Sequence, residues 1–209
     1  VREQLRVEKI VKITANASKT SLLLREDLGV KVNRPEEKKA PYSAYGATNF
    51  VTKQEFPIPT AELYEYLPHR SPMIWVDEVL HCGRNEKGLF GTCRVDLTRD
   101  RGFRSADGSV RTSALIEWIA QGYGYVKASH RRAEGFGLAG FGRAVLVGIS
   151  DCDVNLSELK DENAIHVHVR ELRAMHPAYV IEGKVTNEGG EKIFGCARIT
   201  VFGGEVPAN

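Results

Sequence analysis

Glu117 is a single carboxylate inside an apolar run, Ala114-Leu115-Ile116-Glu117-Trp118-Ile119-Ala120-Gln121. On a helix, Ser113 and Gln121 lie four residues to either side and share its face. Neighbours such as Ile116 and Trp118 would desolvate the carboxylate, which raises a carboxyl pKa toward neutrality and suits it to proton transfer. A second titratable group, His69, sits in Leu67-Pro68-His69-Arg70-Ser71-Pro72-Met73-Ile74-Trp75-Val76-Asp77. Pro68 and Pro72 restrict the backbone on both sides of it. A base and an acid within hydrogen-bond reach of a buried substrate suffice to take a proton from carbon and return one to a departing oxygen. Without a substrate, Glu117 would be a structural carboxylate and His69 a capping or interface histidine.

The remaining polar residues have simpler roles available. Arg70 is expected to pair with Asp77 or Glu78. Arg104 and Arg111 flank the start of the helix that carries Glu117 and are expected to be solvated or to receive an anion. The amides near Thr112 and Ser113 open that helix and can polarise a carbonyl. His166 and His168 share a strand face, but no third metal ligand accompanies them, so an exposed strand face is the expectation and no metal site is assigned. The Gly135–Gly142 stretch (GFGLAGFG) follows a helix and precedes a strand, the reverse of a dinucleotide site.

Composition narrows the class. A chain of 209 residues holds one large domain or one domain with an appendage. A net charge of +2 gives no field to attract nucleic acid or an anionic membrane. No run approaches the roughly 18 apolar residues of a membrane span, and Val1–Lys12 does not read as a secretory signal. Cys82, Cys93, Cys152 and Cys196 are scattered, without a C-x-x-C pair, and are expected to be reduced, partly buried thiols of a cytoplasmic protein.

The elements that must position these groups follow from periodicity. Residues 1–50 read as an extension: a strand at 6–14, a short helix at 18–28, then a linker without a clear period. A main domain spans 51–209. In it, a short helical turn at 61–66 precedes strands at 72–80 and 88–97. A long helix runs from about 111 to 132, with Ala114, Leu115, Trp118, Ile119, Gly122 and Val126 on its apolar face. Strands follow at 143–154, 164–172, 179–186 and 192–202, with a hairpin turn at Asn187–Gly190. Two strands, a long helix and four strands make an α+β plan in which an antiparallel sheet curls around one helix.

The two segments that carry His69 and Glu117 resemble, in type and order, the signatures of the 3-hydroxyacyl-[acyl carrier protein] dehydratase family. That family has an L-P-H-R-x-P strand entry and a helix reading roughly I-E-A-x-A-Q. The resemblance implies the hotdog fold and a lyase acting on thioesters carried by the phosphopantetheine of acyl carrier protein, with no other cofactor. It implies Glu117 as the helix acid, with Thr112, Ser113 and Gln121 near the substrate, and Arg104 or Arg111 meeting the arm's phosphate or the acidic carrier. It also implies a homodimer or higher homo-oligomer, or a hetero-oligomer with another hotdog subunit, formed through an exposed sheet edge.

One family feature is missing. Where the family has a G-H-F-P loop whose histidine works with the helix acid across a dimer, this chain reads Gly102-Phe103-Arg104-Ser105-Ala106-Asp107-Gly108. No histidine lies between His81 and His130. His69, a fold signature in the family, is the replacement candidate. The F-x-x-A-D-G sequence resembles a divergent dehydratase-like branch associated with aryl-polyene or related lipid and polyketide pathways. Two alternatives stay open: a hotdog thioesterase in which Glu117 activates water, and a catalytically silent subunit of an active partner.

Overall fold

The computed structural model describes residues 55–99, 101–136 and 144–203. The expected strand at 6–14, helix at 18–28 and following linker lie outside the described residues, as does most of the Gly-rich turn.

The chain runs β1 (Ile58–Pro59), a 3-10 helix (Thr60–Tyr66), β2 (Glu78–Asn85), β3 (Gly88–Asp96) and α1 (Thr112–Ala133). Then come β4 (Ala144–Val154), a 3-10 helix (Leu156–Asp161), β5 (Ala164–Met175), β6 (Ala178–Asn187) and β7 (Ile193–Gly203). The strands form one antiparallel sheet in the order β1-β2-β3-β5-β6-β7-β4. The first two long strands meet at a turn of Glu86 and Lys87, tighter than the five-residue turn expected from Gly83 to Lys87.

Alternation along the strands sends one row of side chains onto α1. Ile165, Val167 and Val169 of β5, Ile181 and Val185 of β6, and Ala197 and Ile199 of β7 are all buried. The apolar stripe of α1 is buried as its spacing predicts, and Ile116, Tyr123, Tyr125 and Ala128 are buried as well. The helix is therefore enclosed on more than one side, and this is the α+β hotdog plan. Its close seat depends on small residues in the sheet. A Cβ at Gly183 would come within 2.4 Å of Ile119, and one at Gly91 within 2.6 Å of Val126.

One boundary differs from expectation in a way that shapes the site. The strand expected from Pro72 begins only at Glu78. Backbone groups before it are taken by other partners: Trp75 N–H donates to the Gln121 side chain at 2.9 Å, and Asp77 N–H donates to the Arg94 carbonyl at 2.9 Å. The segment therefore crosses α1 as an extended strap.

Candidate active site

The strap and the helix bring His69 and Glu117 together. His69 Nε2 lies 3.2 Å from Glu117 Oε1, and each side chain is 31% exposed. Gln121, fully buried one turn along the helix, donates from Nε2 to the same Oε1 at 2.7 Å and to the Met73 carbonyl at 2.7 Å. Its Oε1 accepts the Trp75 N–H. One amide thus ties the carboxylate, the helix and the strap. Glu117 Oε2 accepts no hydrogen bond among the described residues.

The ionisation of Glu117 differs from the sequence expectation. Burial does push its pKa up, as the apolar neighbours predict, but hydrogen bonds from His69 and Gln121, with the attraction of the imidazole, outweigh it. The net direction is below the ordinary glutamate value. Glu117 is therefore held as a carboxylate at neutral pH, an acceptor rather than a donor. The Nε2–H tautomer of His69 fits this acceptor. The buried Nδ1 has no hydrogen-bond partner among the described residues.

Arg70 does not pair with Asp77 or Glu78. Its guanidinium donates to the carbonyls of Tyr64 (3.1 Å), Leu67 (2.6 Å) and His69 (2.7 Å), capping the 3-10 helix and stiffening the backbone beside His69. Asp77 is already used. It accepts the Asp96 N–H at 2.7 Å, pairs closely with Arg101 and meets Arg99 at 3.2 Å.

The loop that replaces the histidine loop is closed on itself. Ser105 N–H donates to the Ser109 carbonyl (2.7 Å), and Asp107 accepts from the N–H and hydroxyl of Ser109. Arg104 is not free in solvent; it donates to the carbonyls of Gly108 (3.0 Å) and Leu97 (3.4 Å). Phe103 is fully buried, with its ring 5.8 Å from Trp75 and 5.5 Å from Trp118, both edge-on. A hydrophobic anchor thus holds this loop against the core.

The other expected residues lie at the helix start. Arg111 is its N-cap and gives no side-chain cap, while Thr112 is exposed and Ser113 half-buried. Ser113 makes no hydrogen bond to Glu117 among the described residues. A groove of about 710 Å³ runs along this end, lined by Arg104, Ser109, Thr112, Asn155 and Lys160. Glu117, His69 and Gln121 do not line it. Lys160 and Asn155 were not singled out from sequence, since they belong to the β4–β5 connection, which only the sheet order carries to the helix start.

His166 and His168 lie on the sheet with rings 6.2 Å apart. Both ring nitrogens of His168 meet hydroxyls, those of Thr92 and Thr186, each at 3.0 Å.

The fold and the site are those of a hotdog protein whose central helix carries a hydrogen-bonded carboxylate. The family model described as ApeP dehydratase matches residues 61–208, and the chain belongs to this ApeP-like family. Among solved structures, a chain of the dehydratase heterocomplex ApeI:P from Xenorhabdus doucetiae shares the fold. It has 18% identity and a TM-score of 0.55, with 73% of this chain and 93% of that one covered. Zebra fish thioesterase superfamily member 2 matches at 14% identity and a TM-score of 0.48, covering 69% of this chain and 97% of that one. The E. coli PaaI protein from the phenylacetic acid degradation operon matches at 10% and 0.41, covering 63% and 81%. No curated protein matches the chain.

Proposed function

We propose that this chain dehydrates 3-hydroxyacyl thioesters presented by acyl carrier protein, in fatty-acid, polyketide or aryl-polyene type biosynthesis. The observation that carries the reading is the 3.2 Å contact between His69 and Glu117, with Gln121 on the same oxygen. It supplies an oriented carboxylate where family members need one, although the loop histidine is absent. The amides of Thr112 and Ser113 begin about one and a half turns, or roughly 7 Å, before Glu117. They are suited to receive a thioester carbonyl. The test is turnover of 3-hydroxyacyl or enoyl thioesters. Glu117→Gln should keep fold and size and lose on the order of 10²-fold or more in kcat. Unchanged turnover in the variant would remove Glu117 from the reaction.

The same reading includes a second hotdog subunit, either another copy or a different chain, docked on β4. Among the described residues this strand ends the sheet and leaves Val145 and Val147 each 59% exposed, and an edge strand without a neighbour invites a partner strand. The likeness to a chain of the dehydratase heterocomplex ApeI:P supports the hetero-oligomer. Sedimentation should give an oligomer at micromolar concentration, alone or with the partner. A monomer in both cases would remove the pairing.

A further inference from the structure

We infer that Arg101, at the head of the loop that stands where the resembled family carries its histidine, is a positioning residue for Glu117: it fixes the strap and, through the strap, keeps His69 on the carboxylate. This inference rests on the dehydratase reading and deepens it. It concerns contacts within this chain and is independent of the groups a second subunit brings to Glu117. The Arg101 side chain is only 11% exposed, and its guanidinium works in two directions. Nη1 donates to the Ile74 carbonyl at 3.2 Å, and Nη2 pairs closely with the buried carboxylate of Asp77. Both acceptors belong to the strap. A planar guanidinium can hold a carbonyl and a carboxylate at once, which the point charge of a lysine does less well.

The contact matters because of where it falls. Gln121 takes the Met73 carbonyl from α1, and Arg101 takes the next carbonyl, that of Ile74, from the loop. A single anchor fixes one point of an extended chain and leaves it free to turn. Two anchors on consecutive peptide groups, from different elements, fix its rotation as well. From there the restraint passes along bonds to His69. The Met73 N–H donates to the Arg70 carbonyl at 2.8 Å, closing a turn, and the Arg70 guanidinium donates to the carbonyls of His69 and Leu67. His69 Nε2 then meets Glu117 Oε1 at 3.2 Å.

The loop is built as a bracket between strap and helix. Arg111 N–H donates to the Phe103 carbonyl at 3.0 Å, tying the loop to the start of α1, while the Phe103 ring lies edge-on to Trp75 of the strap and to Trp118 of the helix. Arg101 is the polar half of the same bracket. Among the described residues, Arg70 faces backbone carbonyls, Arg99 lies on Asp77 and Asp96, and Arg104 meets the Gly108 and Leu97 carbonyls. Arg101 makes no hydrogen bond or ion pair with Glu117 among these residues, so its effect on the carboxylate has to run through the strap.

The test uses the full chain, with its hotdog partner if turnover requires one. Arg101→Ala would leave Asp77 buried without its cation, so the variant is Arg101→Lys, which keeps the charge and gives up the guanidinium's hold on the Ile74 carbonyl. It should lose roughly tenfold or more in kcat with KM little changed, as expected of a group displaced by about an ångström. Carbon-13 NMR of labelled glutamate should show the Glu117 titration moved up, as in His69→Ala, because the carboxylate loses the His69 donor. The double variant of Arg101→Lys and His69→Ala should move it no further than His69→Ala alone. Tyr123→Phe, whose loss falls on the Glu171 contact, is the control for stability and should leave kcat and the Glu117 titration as in wild type. Wild-type kcat and Glu117 titration in Arg101→Lys would overturn the inference, and so would shifts that add in the double variant. Wild type without turnover, alone and with a partner, would remove the dehydratase reading, while the NMR measurements would still decide whether Arg101 holds His69 on Glu117.

Discussion

Gln121 holds Trp75 by its backbone: the buried amide accepts the Trp75 N–H at 2.9 Å and spends its own N–H groups on Met73 and Glu117. A leucine of similar size would leave a buried N–H and a carbonyl unpaired. Gln121→Leu should therefore cost about 1–3 kcal/mol of stability, read by urea denaturation. Gln121→Glu has a different signature. A second carboxylate one turn from Glu117 disfavours ionisation of both, so the rising limb of the activity profile should move to higher pH. An unmoved limb in this variant would show that Gln121 does not govern the ionisation of Glu117.

A second buried carboxylate serves the fold. Glu171 continues the inward row of Ile165, Val167 and Val169 on β5, yet is only 4% exposed. It takes a close hydrogen bond from the Tyr123 hydroxyl and one from the Leu89 N–H at 2.9 Å. Burial, followed by the charge of Glu171 and the hydrogen bond to it, raises the Tyr123 pKa far above the ordinary tyrosine value, so the phenol keeps its proton. Tyr123→Phe should cost about 1–3 kcal/mol by removing that donor from a buried carboxylate. Tyr123→Phe combined with Glu171→Gln should cost less than the sum of the single changes, because the two groups satisfy each other. Additive losses in denaturant titrations would contradict this pairing.

The sequence made the fold legible where periodicity decides it: α1 and the long strands fall within a few residues of where alternation and helical spacing place them. It was less informative where a tertiary partner overrides local pattern. The strap before Glu78 reads as strand because Ile74, Trp75 and Val76 favour one, yet its backbone is claimed by Gln121, 46 residues away from Trp75. Glu117 was legible as the one carboxylate in an apolar helix, whereas the direction of its pKa was not. Apolar neighbours announce desolvation, but the two opposing hydrogen bonds come from a side chain one turn on and from a strap 48 residues earlier. Gln121 was legible as a face-sharing neighbour, and Arg70 was not, because its acceptors are carbonyls rather than carboxylates.

Acid should destabilise the protein through the sheet histidines before its carboxylates titrate. His168 is lowered from 6.5 to about 4, by burial first and then by His166, Lys184 and His81. The unfolded chain therefore binds a proton at this position below about pH 6.5 that the folded chain refuses until about pH 4. The sign follows: stability is full above pH 6.5 and falls as pH drops toward 4, by roughly 1–3 kcal/mol from this residue. His81 and His166 are lowered too, and add in the same direction. Urea midpoints between pH 7 and 4.5 should show this slope, and His168→Gln should flatten it. An equally steep slope in the variant would assign the acid sensitivity elsewhere.

The last prediction concerns how a carrier arm reaches the helix start. Arg104 and Arg111 were the sequence candidates for meeting its phosphate, but Arg104 is engaged with the Gly108 and Leu97 carbonyls, so reversing its charge would disturb the loop as well as the field. Lys160 lines the same groove from the β4–β5 connection, and Arg111 caps the helix at its end. The cleaner variant is therefore Arg111→Glu combined with Lys160→Glu, both on exposed positions. It should weaken binding of charged acyl carrier protein by several-fold or more, and the difference from wild type should widen as salt is lowered and Coulomb attraction is less screened. Reaction with a short thioester surrogate that lacks the carrier should change little, since neither side chain touches Glu117. Arg104→Gln, which removes the guanidinium and with it the hydrogen bonds to the Gly108 and Leu97 carbonyls, measures how far the loop contributes. Equal affinity of the double variant and wild type for the charged carrier at low ionic strength would exclude this groove as the entry for the arm.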